Sequence, residues 1–212
     1  MILPSILSTS HLRLKEKLEP LRGLAEVIHV DIEDGVFVPN LSFGPKIIEE
    51  IYNEFGFGMD IHYMVKDPQR FFDLFNAIPH KMVSYHIETG IDPDELDFPK
   101  GAEIGLAFNP DTKEVDPNVL SKLDFVVVMG VYPGFGGASF EESTYDSVIM
   151  FNTLRADNGY DFDIMVDGGV GKDNILRLKN CGADHFVAGS GVFRDDPRKS
   201  FLELNNISDG NV

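Results

Sequence analysis

Cysteine is nearly missing from this chain of 212 residues, where Cys181 stands alone. A lone thiol forms no internal disulfide, so the fold has to rest on its core, and a reducing, cytoplasmic setting is expected. Positive charge is also scarce. Eighteen Lys and Arg face 35 Asp and Glu, a formal net charge of −17. That balance argues against nonspecific nucleic-acid binding and against docking on an acidic membrane surface. It leaves an anionic small ligand open, because backbone N–H groups bind anions. Long apolar runs are absent, and none approaches the roughly 18 residues needed to span a bilayer. Residues 1 to 10 have neither a basic start nor a long apolar stretch, so no signal peptide is expected. No long linker, charge block or low-complexity segment interrupts the chain, and one domain over residues 1–212 is expected.

Apolar runs alternate with helical patterns from end to end. Strands are expected at 1–7, 27–32, 59–65, 82–87, 103–108, 125–129, 162–167 and 184–188. Helical spacing is expected over 12–21, 45–54, a segment opened by Asp67 and Pro68, a weak 117–123, a long 141–155, 174–181 and 198–205. Phe71, Phe72, Leu74 and Phe75 supply the apolar side of the third helix. Residues 91–99 are too short and Pro-rich for more than a turn. Near-continuous apolar strands alternating with helices imply a parallel sheet covered on its outer face. Eight such units predict a single (β/α)8 TIM barrel of the α/β class.

In that fold, sites form at the C-terminal ends of the strands. The second strand reads Val27-Ile-His-Val-Asp-Ile-Glu33. Residues i and i+2 share a face of a strand, so His29 and Asp31 project together. Burying both is costly unless they pair or meet a cation. His62 on the third strand, Asp167 at the end of the seventh and Ser5 on the first reach the same mouth. Two His and two Asp there suit one divalent metal ion, with zinc, iron, manganese and cobalt all acceptable. Glycines form a second group: Gly134, Gly136 and Gly137 after strand six, Gly168 and Gly169 after strand seven, Gly189 beside Ser190 after strand eight. Loops after strands seven and eight are the usual phosphate site of such barrels. These segments contain no Lys or Arg, so backbone amides and helix dipoles would carry the phosphate.

Pro4-Ser-Ile-Leu-Ser8, His29 through Asn40, Asp60-Ile-His-Tyr-Met64, Gly105 through Pro110, Val128 through Gly137, Val166-Asp-Gly-Gly169 and Ala188-Gly-Ser190 together resemble the ribulose-phosphate 3-epimerase family, in order and over nearly the whole chain. The resemblance implies that His29, Asp31, His62 and Asp167 are metal ligands. It implies that Asp31 and Asp167 are the proton acceptor and donor. It implies substrate and phosphate contacts at Ser5, His62, Gly134, Phe135, Gly136, Gly137, Gly168, Gly169, Gly189 and Ser190. Met64 and Met129 would wall the site, with Glu33 beside them. The implied substrate is a phosphorylated ketose, and members are often dimers or larger, so a homo-oligomer is expected.

Three positions depart from the family pattern. Glu33 stands where Met is usual, Gly130 where Ser or Thr is usual, and Ala138 where Gln is usual. They motivate a second reading, the same chemistry on a six-carbon or four-carbon ketose phosphate. By parity Glu33 either joins the mouth or turns outward into loop. His86 is expected to be a packed histidine. A phosphate-binding barrel lyase or decarboxylase ranks lower, because Asp31-Ile-Glu33 lacks the lysine of the Asp-x-Lys-x-x-Asp array. A non-catalytic sensor is disfavoured by the intact His and Asp set.

Overall fold

The computed structural model describes residues 1–134 and 139–210. Phe135, Gly136, Gly137 and Ala138 lie outside the described residues. In chain order the elements are β1 (Ile2–Pro4), α1 (Leu14–Leu18), β2 (Val27–Glu33), α2 (Pro45–Phe55), β3 (Gly58–Met64), α3 (Pro68–Leu74), β4 (Met82–His86), β5 (Glu103–Phe108), α4 (Pro117–Leu120), β6 (Phe125–Met129), α5 (Ser143–Asn158), β7 (Asp163–Asp167), α6 (Ile175–Cys181), β8 (His185–Ala188), α7 (Ser190–Phe193) and α8 (Pro197–Ser208).

All eight strands are parallel in one sheet, ordered β1-β8-β7-β6-β5-β4-β3-β2. The ends of that order meet at the parallel bridge between Ser5 and His29. The barrel predicted from the alternation is therefore the observed fold, and its seam joins two residues of the expected site. Side chains facing outward, such as Ile28, Val30 and Ile32, pack with the helices in the larger apolar cluster. Other inward-facing side chains, such as Leu3, Val27, Phe125 and Met165, form a second apolar cluster, which reaches the mouth at Met129 and Val187.

Several boundaries differ from expectation, each for a local reason. The first strand stops at Pro4, and Ile6–Ser8 forms a 3-10 turn after Ser5 has paired with β8 and β2. The helix expected over 12–21 condenses to α1 between 3-10 turns. Leu14, Leu18 and Leu21 share one buried stripe at i, i+4 and i+7, whereas Leu12 falls off it and is 98% exposed. On α3, Asp67 caps the helix by accepting from the Arg70 N–H, as its position suggests. Phe72 and Phe75 are buried there, but Leu74 is 54% exposed because it points away from both, on the other side of the helix. The segment after β8 is no open glycine loop: Ser190 starts the short α7.

Candidate metal centre and active site

The site starts from the two-residue period of β2. All seven of its residues are buried. His29, Asp31 and Glu33 share the inner face, with Val30 and Ile32 in the outer core. In register, β3 sets Asp60 beside His29, His62 beside Asp31 and Met64 beside Glu33. Across the mouth, β7 ends with Asp167 next to Met129 of β6.

These side chains converge on one point. His29 Nε2 is 3.3 Å from Asp31 Oδ1 and 3.5 Å from Asp167 Oδ2. His62 Nδ1 is 3.3 Å from Asp167 Oδ2 and 3.8 Å from Asp31 Oδ1. Imidazole nitrogens and carboxylate oxygens thus alternate around a ring, all within 4.8 Å of one another. His29, Asp31, His62 and Asp167, expected together, are together and buried.

Neighbours orient three of the four donors. Asp60 Oδ2 lies 2.6 Å from His29 Nδ1 and accepts its proton, which turns Nε2 toward the ring. Ser5 Oγ donates to Asp31 Oδ2 at 2.8 Å, which leaves Oδ1 facing the ring. His62 Nε2 lies 2.9 Å from His86 Nε2, and His86 Nδ1 lies 3.1 Å from Glu88 Oε2. His86 is fully buried, as a packed histidine would be, but it also touches a donor of the ring.

The electrostatics are those of a centre rich in negative charge. Burial pulls His29 down, but Asp31, Asp60 and Asp167 outweigh it and hold the imidazole well above its ordinary pKa. Burial would raise Asp167, but His29 and His62 outweigh it and hold this carboxyl below its usual range. Burial pushes His86 down to about 4 against the opposing pull of Glu88. Glu88 sits at about 2, because hydrogen bonds from His86, Thr112 and Asn109 outweigh its own burial.

The donor set fits a divalent cation. Two imidazoles and two carboxylates are a ligand set used by zinc and its neighbours. Ligands at about 2.0–2.1 Å in a tetrahedron stand about 3.3–3.4 Å apart, close to the spacings here. Asp31, Asp60 and Asp167 around two imidazoles also leave excess negative charge in a buried place, which a cation offsets.

Above the ring is a pocket lined by Ser5, Met64, Met129, Gly134, Gly168, Gly169, Gly189 and Ser190, among others. Every expected contact residue among the described ones reaches this pocket or the ring beneath it, apart from Glu33. Glu33 does not turn outward. It is 3% exposed, and its Oε2 accepts from Asn40 Nδ2 at 2.8 Å. Its Oε1 is buried with no hydrogen-bond partner among the described residues. Burial, then Asp31, raises this carboxyl to about 7, with the Asn40 bond opposing.

The glycines also have a packing role. Gly168 has φ +102°, and a Cβ there would stand 2.5 Å from Val131 Cγ2. At Gly130 a Cβ would stand 2.1 Å from Gly168 O, so a side chain has no room here. An adjoining cleft shares Gly169 and Ser190 and is lined also by Lys172 and Arg194. Cations absent from the glycine segments in sequence are therefore present beside them in space. Asp60 and Glu88 are further site neighbours not singled out from sequence. The two-residue spacing of Asp60 to His62 is a usable signal, and so is that of His86 to Glu88 once His86 is known to touch His62.

Comparisons with known proteins agree with this geometry. The model of the ribulose-phosphate 3 epimerase family matches residues 1–193. A ribulose-phosphate 3-epimerase of Serratia marcescens is 39% identical over 207 residues, covering 94% of this chain and 98% of that protein. One from Escherichia coli is 36% identical over 210 residues, covering 96% and 93%. Among solved structures, 3-hexulose-6-phosphate synthase from Salmonella typhimurium superposes with a TM-score of 0.72 at 13% identity, covering 100% of this chain and 99% of that one. Orotidine 5'-phosphate decarboxylase from Pyrococcus horikoshii gives 0.68 at 15%, covering 99% and 100%. The structural likenesses speak to the barrel alone, whereas the sequence matches span the site, and the chain belongs to the ribulose-phosphate 3 epimerase family.

Proposed function

We propose that the protein is a metal-dependent epimerase that inverts C3 of a ketose phosphate, interconverting D-ribulose 5-phosphate and D-xylulose 5-phosphate. One observation carries this reading. Two carboxylates, Asp31 and Asp167, arrive from separate arcs of the barrel and meet the same two imidazoles beneath one pocket. Inversion beside a ketone needs a proton removed from one face and another delivered to the opposite face. Asp31 and Asp167 serve as that pair, each acting as base in one direction and acid in the other, on either side of a planar enediolate.

His29, Asp31, His62 and Asp167 would hold one divalent ion, zinc, iron, manganese or cobalt. When bound it supplies Lewis-acid stabilisation of negative charge on the substrate oxygens. Ser5 steadies Asp31 through its hydrogen bond and lies within reach of the substrate. Met64 and Met129 exclude water from the reacting carbon with polarizable surface. The phosphate end is assigned to Gly134, Gly168, Gly169, Gly189 and Ser190, and from sequence to Phe135, Gly136 and Gly137. A cytoplasmic, self-associating enzyme fits the lone thiol and acidic surface, with apolar patches as the contact. Among the described residues no helix is long and apolar enough to cross a membrane.

The buried, half-partnered Glu33 favours a second reading, the same inversion on a ketose phosphate of another chain length. Its free oxygen is suited to a hydroxyl that a methionine would not hold.

The test is solvent-deuterium incorporation at C3 of ribulose 5-phosphate, with metal analysis of the same sample. Exchange with about one divalent ion per chain is expected. Exchange retained in both Asp31→Asn and Asp167→Asn would refute the two-acid chemistry. Turnover of a hexulose or tetrulose phosphate but not of ribulose 5-phosphate would select the second reading.

A further inference from the structure

The row of three side chains behind His62 performs a task that the proton chemistry leaves unassigned. His62 Nε2 faces His86 Nε2 at 2.9 Å, and His86 Nδ1 faces Glu88 Oε2 at 3.1 Å. Glu88 is itself fixed from its other oxygen, which accepts from the Asn109 N–H at 2.8 Å and from the Thr112 hydroxyl at 2.5 Å. His62 and His86 are fully buried, so water does not compete for their ring nitrogens.

We propose that Glu88 and His86 form a tautomer relay that fixes His62 with its proton on Nε2 and its Nδ1 lone pair in the donor ring. The inference rests on the reading of His62 as a metal ligand and adds two positioning residues to it. The logic is proton counting. A carboxylate accepts and does not donate, so the atom facing it, His86 Nδ1, carries hydrogen. A neutral imidazole has one N–H, so His86 Nε2 presents a lone pair. Two ring nitrogens at 2.9 Å need one proton between them, which must then belong to His62 Nε2. That leaves Nδ1 of His62 bare toward Asp31, Asp167 and His29, the form a cation requires. On the other imidazole, Asp60 does in one step what Glu88 does in two. The longer path has a reason in the register. Beside His62 on β4 stands Ser84, too short to reach the ring, so the partner comes from His86, two residues further along.

The relay makes a directional prediction about an isosteric change. In Glu88→Gln the amide oxygen must stay with the fixed Asn109 N–H, so the NH2 group turns to His86. His86 Nδ1 then has to accept, Nε2 has to carry the proton, and His62 is left protonated on Nδ1. The substitution inverts the chain instead of merely cutting it.

The experiment measures zinc affinity of the full-length protein by chelator competition, with 15N NMR of the imidazoles. For Glu88→Gln a 10- to 100-fold weaker zinc Kd is expected, about the loss typical of groups that orient metal ligands. The His86 tautomer should reverse, a signal that a purely structural defect would not give. The wild-type spectrum tests the relay without any variant having to fold: His86 should be neutral and protonated on Nδ1. An unchanged zinc Kd in folded Glu88→Gln, or wild-type His86 protonated on Nε2, would overturn the relay alone. Failure of the wild-type protein to bind zinc, manganese, iron or cobalt would overturn the metal reading and the relay with it.

Discussion

The two ends of the barrel interior are built on opposite principles. At one end Leu3, Val27, Met82, Ala107, Phe125, Val127 and Met165 form an apolar plug, bordered toward the mouth by Met129 and Val187. At the other, His29, Asp31, Asp60, His62, His86 and Asp167 form a buried polar layer. The plug is held by volume. Phe125 fills the space over Gly105, where a Cβ would stand 2.4 Å from its ring, so one large residue and one absent side chain complete the packing. The polar layer is held by direction. Three of the four donors toward the ring are each set by one named partner: Asp60 for His29, Ser5 for Asp31, His86 for His62. Stability should therefore reside in the plug and chemistry in the layer, on the same eight strands.

Four measurements bear on that division. The largest effect belongs to the layer. Asp31→Asn and Asp167→Asn should each slow C3 proton exchange by about 10²–10⁴, the usual worth of a positioned acid or base. Their thermal midpoints should stay close to wild type. If both variants unfold as readily as a plug mutant, the division fails. Next comes Phe125→Ala, expected to cost about 3–5 kcal/mol in denaturant titration while zinc affinity in the folded fraction is unchanged. A parallel loss of zinc binding would mean that plug and layer are one cooperative unit. Gly105→Ala should cost about 1–3 kcal/mol by overpacking against Phe125, again without effect on the metal.

The smallest effect concerns Glu33, and its sign can be worked out. Its folded pKa of about 7 lies above the value of 4.5 for an unperturbed glutamate. The native state thus holds this proton more tightly than the unfolded chain does. Stability contributed in this way is present at low pH and declines as pH rises from about 4.5 through 7. Glu33→Met should flatten that decline in metal-free protein. The gain at pH 8 is expected to be about 2–4 °C in Tm, the equivalent of 1 kcal/mol for a chain of this length. A variant that melts lower than wild type at pH 8 would assign Glu33 to a native interaction instead.

The barrel was legible because its strands repeat one physical rule, apolar runs bounded by turns. So was much of the site, since parity aligns His29 with Asp31 and the strand ends bring in His62 and Asp167, although Asp60, two residues before His62, was passed over. The parts that were not legible depend on contacts between elements. Nothing local tells that His86 stands behind His62, or that Arg194 borders Gly169, because those relations exist only once the ring has closed. Leu12 and Leu74 mislead for the converse reason. They obey composition but miss the stripe their neighbours bury. Ser190 reads as a glycine-flanked loop residue, yet the backbone there already turns helical.

The seven-residue strand β2 works as a reading frame. Its odd positions address the barrel interior and its even positions address the helices. Loss of one codon inside it would send Asp31 to the greasy side and bring its neighbours to the ligand. Loss of two would keep the facing but lower the ladder by one rung, about 6.6 Å at 3.3 Å per residue. No insertion or deletion there is mild. Residues 34–42, which follow the strand and supply Asn40 to Glu33, carry no such frame. A lineage can lengthen or recast that segment, and so change what surrounds the Glu33 carboxyl, while the atoms of the ring keep their places. Length variation is thus most accessible in the segment that follows β2, and least accessible in β2 itself.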